Sequence, residues 1–143
     1  TKYHTATHIM LAGLRKMFGE KTEQKGSNIN EERMRFDFNC DHKMTEEELK
    51  TLEDFVNDAI AKKIDVVRTE EPYNEAVSEG AYGVFNPTSE DQPVTIYTIA
   101  GVDKQICGGP HAKNTAELGH FRIVKEESSS SGIRRIKAVL EFN

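Results

Sequence analysis

The chain has 143 residues, of which 36% are hydrophobic and 30% charged, and it carries a formal net charge of −5. That length is one ordinary domain with enough residues to bury a core without disulfide staples. No apolar run approaches the roughly 20 residues of a membrane-spanning helix, and the opening Thr1-Lys2-Tyr3 is not a secretory leader, so the expected setting is the cytoplasm, away from any membrane.

The charge is unevenly spread. Residues 41–91 carry 14 acidic and 5 basic side chains, whereas residues 1–40 and 101–143 each carry 7 basic and 5 acidic ones. The middle reads as a solvated acidic face. The two ends are mildly basic, which lets a polyanion approach them but does not describe a general nucleic-acid binder.

In chain order, Thr5 to Phe18 predicts a helix with Ile9, Leu11, Ala12 and Leu14 as its apolar mass and Gly19 as its stop. Met34, Phe36 and Phe38 alternate with Arg33, Arg35 and Asp37, the pattern of a half-buried strand. Thr45 followed by Glu48 is a capping box. It opens a helix that buries Leu49, Leu52, Phe55, Val56, Ala59 and Ile60 and ends near Lys63. Asp65 to Thr69 predicts a short strand. Pro72 to Glu79 predicts a short helix stopped by Gly80. Asn86 to Pro93 is a turn-rich loop. Val94 to Ala100, Lys104 to Cys107, His120 to Lys125 and Ile133 to Phe142 predict strands. Ser128 to Ser131, with Gly132, predicts a flexible loop between the last two. There is no internal repeat and no domain boundary. The sum is one α+β domain over residues 1–143, an antiparallel sheet with helices packed against it.

His4 and His8 form a His-x3-His pair on the first helix, where residues four apart share a face. Cys107 and His111 form a Cys-x3-His pair around a glycine turn about a hundred residues later. Taken singly, each histidine reads as an ordinary half-buried or surface residue. Two complementary pairs in a chain with only five His and two Cys point to a metal site, and three imidazoles with one thiolate suit tetrahedral zinc. Four protein ligands make such a site structural, and an open or expandable shell makes it catalytic; the residues leave both open. Cys40 ends a strand and reads as structural, and His42 and His120, which lack a spaced partner, read as structural or exposed. A zinc-protease reading fails, because that motif needs a glutamate after the first histidine and here the residue is Thr5.

Around these pairs the chain resembles the editing domain of alanyl-tRNA synthetase and its free-standing AlaX-type relatives. The likeness rests on His4-Thr-Ala-Thr-His8, Gln24-Lys-Gly-Ser27, Arg33-Met-Arg-Phe-Asp-Phe38 and Cys107-Gly-Gly-Pro-His111. It continues with Asn114-Thr115, Glu117-Leu-Gly119 and Gly132-Ile-Arg-Arg-Ile136, in the right order over nearly the whole chain. The resemblance implies a threonyl/alanyl-tRNA synthetase editing-domain-like fold, with zinc held by His4, His8, Cys107 and His111. It implies hydrolysis of serine, and sometimes glycine, from tRNA that should carry alanine. A pocket for alanine cannot bar glycine by size and excludes serine's one hydroxyl poorly, since such discrimination yields about 1–3 kcal/mol; a second hydrolytic site is the usual remedy. On this reading Thr7 offers serine's hydroxyl a hydrogen bond and Gln24 orients substrate or water. Gly108 and Gly109 let the backbone approach the terminal adenosine, or simply make a tight turn. Arg134 and Arg135 alternate on a strand, so one faces the pocket and the other solvent or tRNA phosphate.

The chain departs from the family pattern in two ways. Pro110 stands where the alanyl group usually has threonine, closer to the editing domain of threonyl-tRNA synthetase, which removes serine from threonine tRNA. Gly132-Ile-Arg-Arg-Ile136 and Gln24-Lys-Gly-Ser27 resemble the alanyl group, so alanine tRNA is the first expectation and threonine tRNA the second. The β-rich subdomain that precedes the zinc motif in many relatives is also missing, which suits either a small AlaX-like protein or a piece of a synthetase. The rival readings are a non-catalytic tRNA-binding or interaction module in which zinc is structural or absent, and a hydrolase of small free esters.

Overall fold

The computed structural model describes residues 1–83 and 89–142. Its elements are α1 (Lys2–Phe18), β1 (Gln24–Ile29), β2 (Met34–Asn39), α2 (Glu46–Ala61), β3 (Val66–Pro72), α3 (Tyr73–Ser78), β4 (Pro93–Ile99), β5 (Asp103–Ile106), a 3-10 turn (Thr115–Leu118), β6 (His120–Ser130) and β7 (Ile133–Glu141). None of the described helices is long and apolar enough to cross a membrane.

Helix α1 is the element around which the others pack. Tyr3 and every residue from Thr5 to Leu14 are buried, and a helix buried on all sides is a core element rather than an amphipathic surface one. On one side lies an antiparallel sheet of order β1-β2-β7-β6. There Met34, Phe36 and Phe38 are fully buried beside Ile136 and Ala138 of β7. Each side chain of this kind contributes about 1.5–3 kcal/mol when taken out of water. Alongside α1 runs α2, whose Leu52, Val56, Ala59 and Ile60 are buried. Gly13 lets the two helices approach, since a Cβ there would sit 2.8 Å from Phe55 Cδ1 and 2.9 Å from Leu52 Cδ1. The Thr45–Glu48 capping box is formed, with Glu48 N donating to Thr45 Oγ1 at 3.1 Å and Thr45 N to Glu48 Oε1 at 2.9 Å. Tyr3 ties the start of α1 to the sheet, as its hydroxyl donates to Glu32 O and accepts from Leu140 N.

The other side of α1 meets a second antiparallel sheet, of order β3-β4-β5. It carries its own small core of Ala76, Ala81, Val94, Ile96 and Ile106. The fold class is α+β as expected, but the strands divide into two sheets instead of one. Three further differences are local in extent. Strand β1 is polar and mostly exposed, so no hydrophobic alternation marks it. Ser128 to Ser130 belong to β6, where Ser128 and Ser130 pair with Arg134 and Ile133, and only Ser131 and Gly132 turn. Asp65 lies just outside β3, bridged to Asn114. Of the expected Asn86–Pro93 loop, Asn86 to Thr88 lie outside the described residues, and Pro93 already begins β4.

The segment from Cys107 to Leu118 has little regular structure, so side chains fix it. Asn114 and Glu117 form a capping box around the 3-10 turn. Thr115 is fully buried; its hydroxyl donates to Ala59 O at 2.7 Å and accepts from Ile64 N at 2.9 Å. Thr115→Val keeps the shape but leaves a buried N–H and a buried C=O unpaired, at about 1–3 kcal/mol each. Urea denaturation should therefore show a loss of about 2–6 kcal/mol. A loss within about 0.5 kcal/mol of zero, the range of an ordinary surface change, would show that these bonds are not what holds the segment.

Candidate metal centre

The two spaced pairs meet at the seam between α1 and the second sheet. His4 and His8 lie on the first two turns of α1, and Cys107 follows β5 directly. Gln105 on β5 donates from Nε2 to His8 O at 3.2 Å, which stitches the strand to the helix and brings the cysteine beside it. One ligand atom from each of His4, His8, Cys107 and His111 lies within 4.8 Å of the other three. The ring of His111 is 4.3 Å from that of His4 and 4.2 Å from that of His8, centroid to centroid, and Cys107 Sγ is 3.5 Å from His4 Nε2.

Two of the imidazoles, those of His4 and His111, are hydrogen-bonded through Nδ1, which leaves Nε2 for the set. His4 Nδ1–H donates to Pro110 O at 3.2 Å. His111 Nδ1 is 3.0 Å from Thr5 Oγ1. That oxygen also accepts from Ala112 N at 2.9 Å and gives its own proton to Thr1 O at 3.2 Å. His8 Nδ1 lies 3.8 Å from Asp103 Oδ2. The free nitrogen of His111, Nε2, is buried with no hydrogen-bond partner. An orphaned imidazole nitrogen inside a ring of three other donors is the feature a metal ion satisfies.

The electrostatics suit a cation. Burial, followed by the nearness of His111 and His4, pushes His8 down to about 2. Burial and His4 push His111 down to about 4, and burial also lowers His4. At neutral pH all three rings are neutral, the form whose lone pair binds a metal. Burial raises the Cys107 thiol, opposed by the Gly109 N–H; a metal reverses that by favouring the thiolate. Behind His8, burial pushes the Asp103 carboxyl up to about 7, against hydrogen bonds from Tyr82 and Gln105.

The remaining expected residues are placed as follows. Thr7 is buried next to the set, and its hydroxyl donates to His4 O at 2.7 Å. Gly109 has a definite steric reason: a Cβ there would lie 2.5 Å from His4 Cε1, so it is the His4 ring that the backbone approaches. Gly108 faces open space. Gln24 is in β1 opposite Phe38, bonded to Ser27 Oγ at 3.1 Å. The two arginines expected at the pocket and at solvent or tRNA phosphate both lie on β7. Leu140 bonds Tyr3, beside His4, and Arg134 lies six residues back along β7, about 20 Å at strand spacing. Arg134 is engaged by Glu126 at 2.8 Å and Arg135 by Asp37 at 2.8 Å, on opposite faces of the sheet. A second potential donor group, Cys40, Asp41 and His42, is already satisfied: His42 has Asp41 on one nitrogen at 2.7 Å and Glu48 on the other at 3.0 Å.

Sequence reasoning missed Thr5, Asp103, Gln105 and Tyr97, whose ring is 4.1 Å from that of His111. Thr5 served only to exclude a protease. A threonine or a glutamine carries no spacing signal when its partner is about a hundred residues away.

Residues 94–137 match the family described as the threonyl and alanyl tRNA synthetase second additional domain. Over 98% of its length the chain is 50% identical to an alanine–tRNA ligase of Borrelia hermsii and 49% identical to one of Borreliella afzelii. Over 99% of its length it is 48% identical to an alanine–tRNA ligase of Treponema denticola. Each alignment covers 23% of the relative, so the chain spans about a quarter of the length of the curated relatives it matches.

Two outcomes follow from the geometry. Thr5→Val keeps the side chain's shape but removes the partner of His111 Nδ1 and of Ala112 N, so zinc affinity by chelator competition should fall about 10–100-fold; unchanged affinity would mean His111 is held without it. The pH dependence has a fixed sign. His8 has an ordinary value of 6.5 and a folded value of about 2, so below pH 6.5 the unfolded chain takes up a proton that the folded one refuses. Stability of the chelator-treated protein is thus full above that pH and declines as pH falls toward 2. The urea midpoint should drop between about pH 6.5 and 4.5, the upper part of that interval, and His8→Gln should flatten the drop. An equal slope in both proteins would contradict the assignment.

Proposed function

We propose, from the premise that this chain is a relative of the alanyl-tRNA synthetases in a stretch carrying their second additional domain, that it is a zinc-dependent aminoacyl-tRNA deacylase clearing serine from alanine tRNA. The observation that carries the proposal is the meeting of His4, His8, Cys107 and His111 around a buried, unpartnered His111 nitrogen. The net reaction is ester hydrolysis: water's hydroxyl goes to the acyl carbon and its other proton to the ribose oxygen, and serine leaves as its carboxylate with one proton released to solvent. Zinc held by the four residues would place a fixed positive charge beside the ester.

The chain's own residues give the site its shape and selectivity. A Cβ at Gly108 would meet nothing within 4 Å, so the Cys107–His111 turn leaves room for a bulky ribose and base on that flank. Thr7 commits its proton to His4 O and keeps lone pairs that accept from a serine hydroxyl. Alanine's methyl offers no proton, and the missing bond is worth about 0.5–1.5 kcal/mol. Identity near one half to alanine–tRNA ligases supports alanine tRNA over threonine tRNA, although Pro110 stands in the turn.

Serine release from purified Ser-tRNA(Ala), with Ala-tRNA(Ala) as control, tests this directly. The wild type should release serine and spare alanine, and Thr7→Val should cut the preference for serine by up to about 10-fold. Release no greater than that of Cys107→Ala would overturn the proposal.

A further inference from the structure

Behind His8 lies a closed polar network to which the hydrolytic reading gives no role. Asp103, the first residue of β5, is buried. Its Oδ1 accepts from the Tyr82 hydroxyl, and its Oδ2 accepts from Gln105 Nε2 at 2.7 Å. The same Gln105 amide lies 3.2 Å from the Tyr82 hydroxyl and 3.2 Å from His8 O. The Arg15 guanidinium covers the Tyr82 ring at 3.5 Å. Asp103 Oδ2 then faces His8 Nδ1 at 3.8 Å, with its own side chain fully shielded from solvent.

A buried carboxylate is costly unless its lone pairs and its charge are both answered. Tyr82 and Gln105 answer the lone pairs. The charge has no lysine or arginine within salt-bridge distance among the described residues, and its nearest basic group is His8. Metal-ligating histidines commonly present the ring nitrogen that does not bind the ion to a carboxylate, which fixes the ring and its tautomer. Charge counting gives the same answer. A dication with one thiolate and three neutral imidazoles leaves one positive charge in a buried place, and one carboxylate cancels it.

We infer that Asp103 is the positioning residue of the metal centre. It holds His8 with Nδ1–H toward β5 and Nε2 toward the other three donors, and it balances the ion's remaining charge. Tyr82, Gln105 and Arg15 hold Asp103 in place. The inference rests on the metal reading proposed above and adds to it the residues that aim and neutralise the site.

Zinc affinity of the whole chain, by competition with a chromogenic chelator, and the visible spectrum of the cobalt-substituted protein test it. Asp103→Asn should bind zinc about 10–100-fold more weakly, with shifted cobalt bands and unchanged far-ultraviolet circular dichroism. Tyr82→Phe keeps the ring under Arg15 and removes the hydroxyl that bonds Asp103 and meets the Gln105 amide, so it should change both readouts in the same direction by less, and it serves if Asp103→Asn fails to fold. A merely structural role would lower the unfolding temperature but leave affinity and spectrum alone. Wild-type affinity and spectrum in a folded Asp103→Asn, or in Tyr82→Phe if that variant alone folds, would overturn the role of Asp103. Wild-type protein that binds no zinc would overturn the metal reading beneath it.

Discussion

The hydroxyl of Thr5 is the contact on which the centre depends. It is fully buried in the first turn of α1, and it accepts from the backbone N–H of Ala112 while partnering the ring of His111. One oxygen therefore locks the loop that carries half of the donor set to the helix that carries the other half. Gln105, bonded to His8 O, makes the matching connection one strand earlier. Between these two stitches Cys107 has little freedom, and Gly109 lets the turn close onto the His4 ring without a clash. The bond energies are individually modest, about 1 kcal/mol each. Their effect is large because they determine whether residues about a hundred positions apart share a site at all.

Burial gives this arrangement its chemistry. The helix that presents His4 and His8 lies between two sheets, so its rings are shielded and stay neutral. Three neutral imidazoles and a thiol in close contact have no reason to assemble for their own sake. The buried nitrogen of His111 has no partner, and such a group ordinarily costs about 1–3 kcal/mol. A bound ion turns that cost into a ligand bond, and the same ion favours the thiolate that burial alone disfavours.

The sequence was most legible where a local rule acts. The His-x3-His and Cys-x3-His spacings marked the four residues that cluster, and the Thr45–Glu48 box marked the start of α2. The alternation through Met34, Phe36 and Phe38 marked β2. It was silent where the cause is long-range. Strand β1 exists because β2 needs a neighbour, and the serine run extends β6 because Ile133 and Arg134 pair with it. The strands divide into two sheets that both touch α1, an arrangement of distant segments that no window of residues reveals. The motif that drew attention to Arg134 and Arg135 gave no sign of their partners, a carboxylate on each neighbouring strand, Glu126 on β6 and Asp37 on β2. Thr5 and Asp103 were invisible for the same reason: their roles are defined by partners far along the chain.

The central claim is that His4, His8, Cys107 and His111 bind one zinc ion together. X-ray absorption at the zinc edge of protein purified without chelator tests it most directly. The account predicts one sulfur neighbour at about 2.3 Å and three nitrogen neighbours at about 2.0–2.1 Å, with the sulfur lost in Cys107→Ala. A shell of oxygens alone, or no stoichiometric zinc, would contradict it.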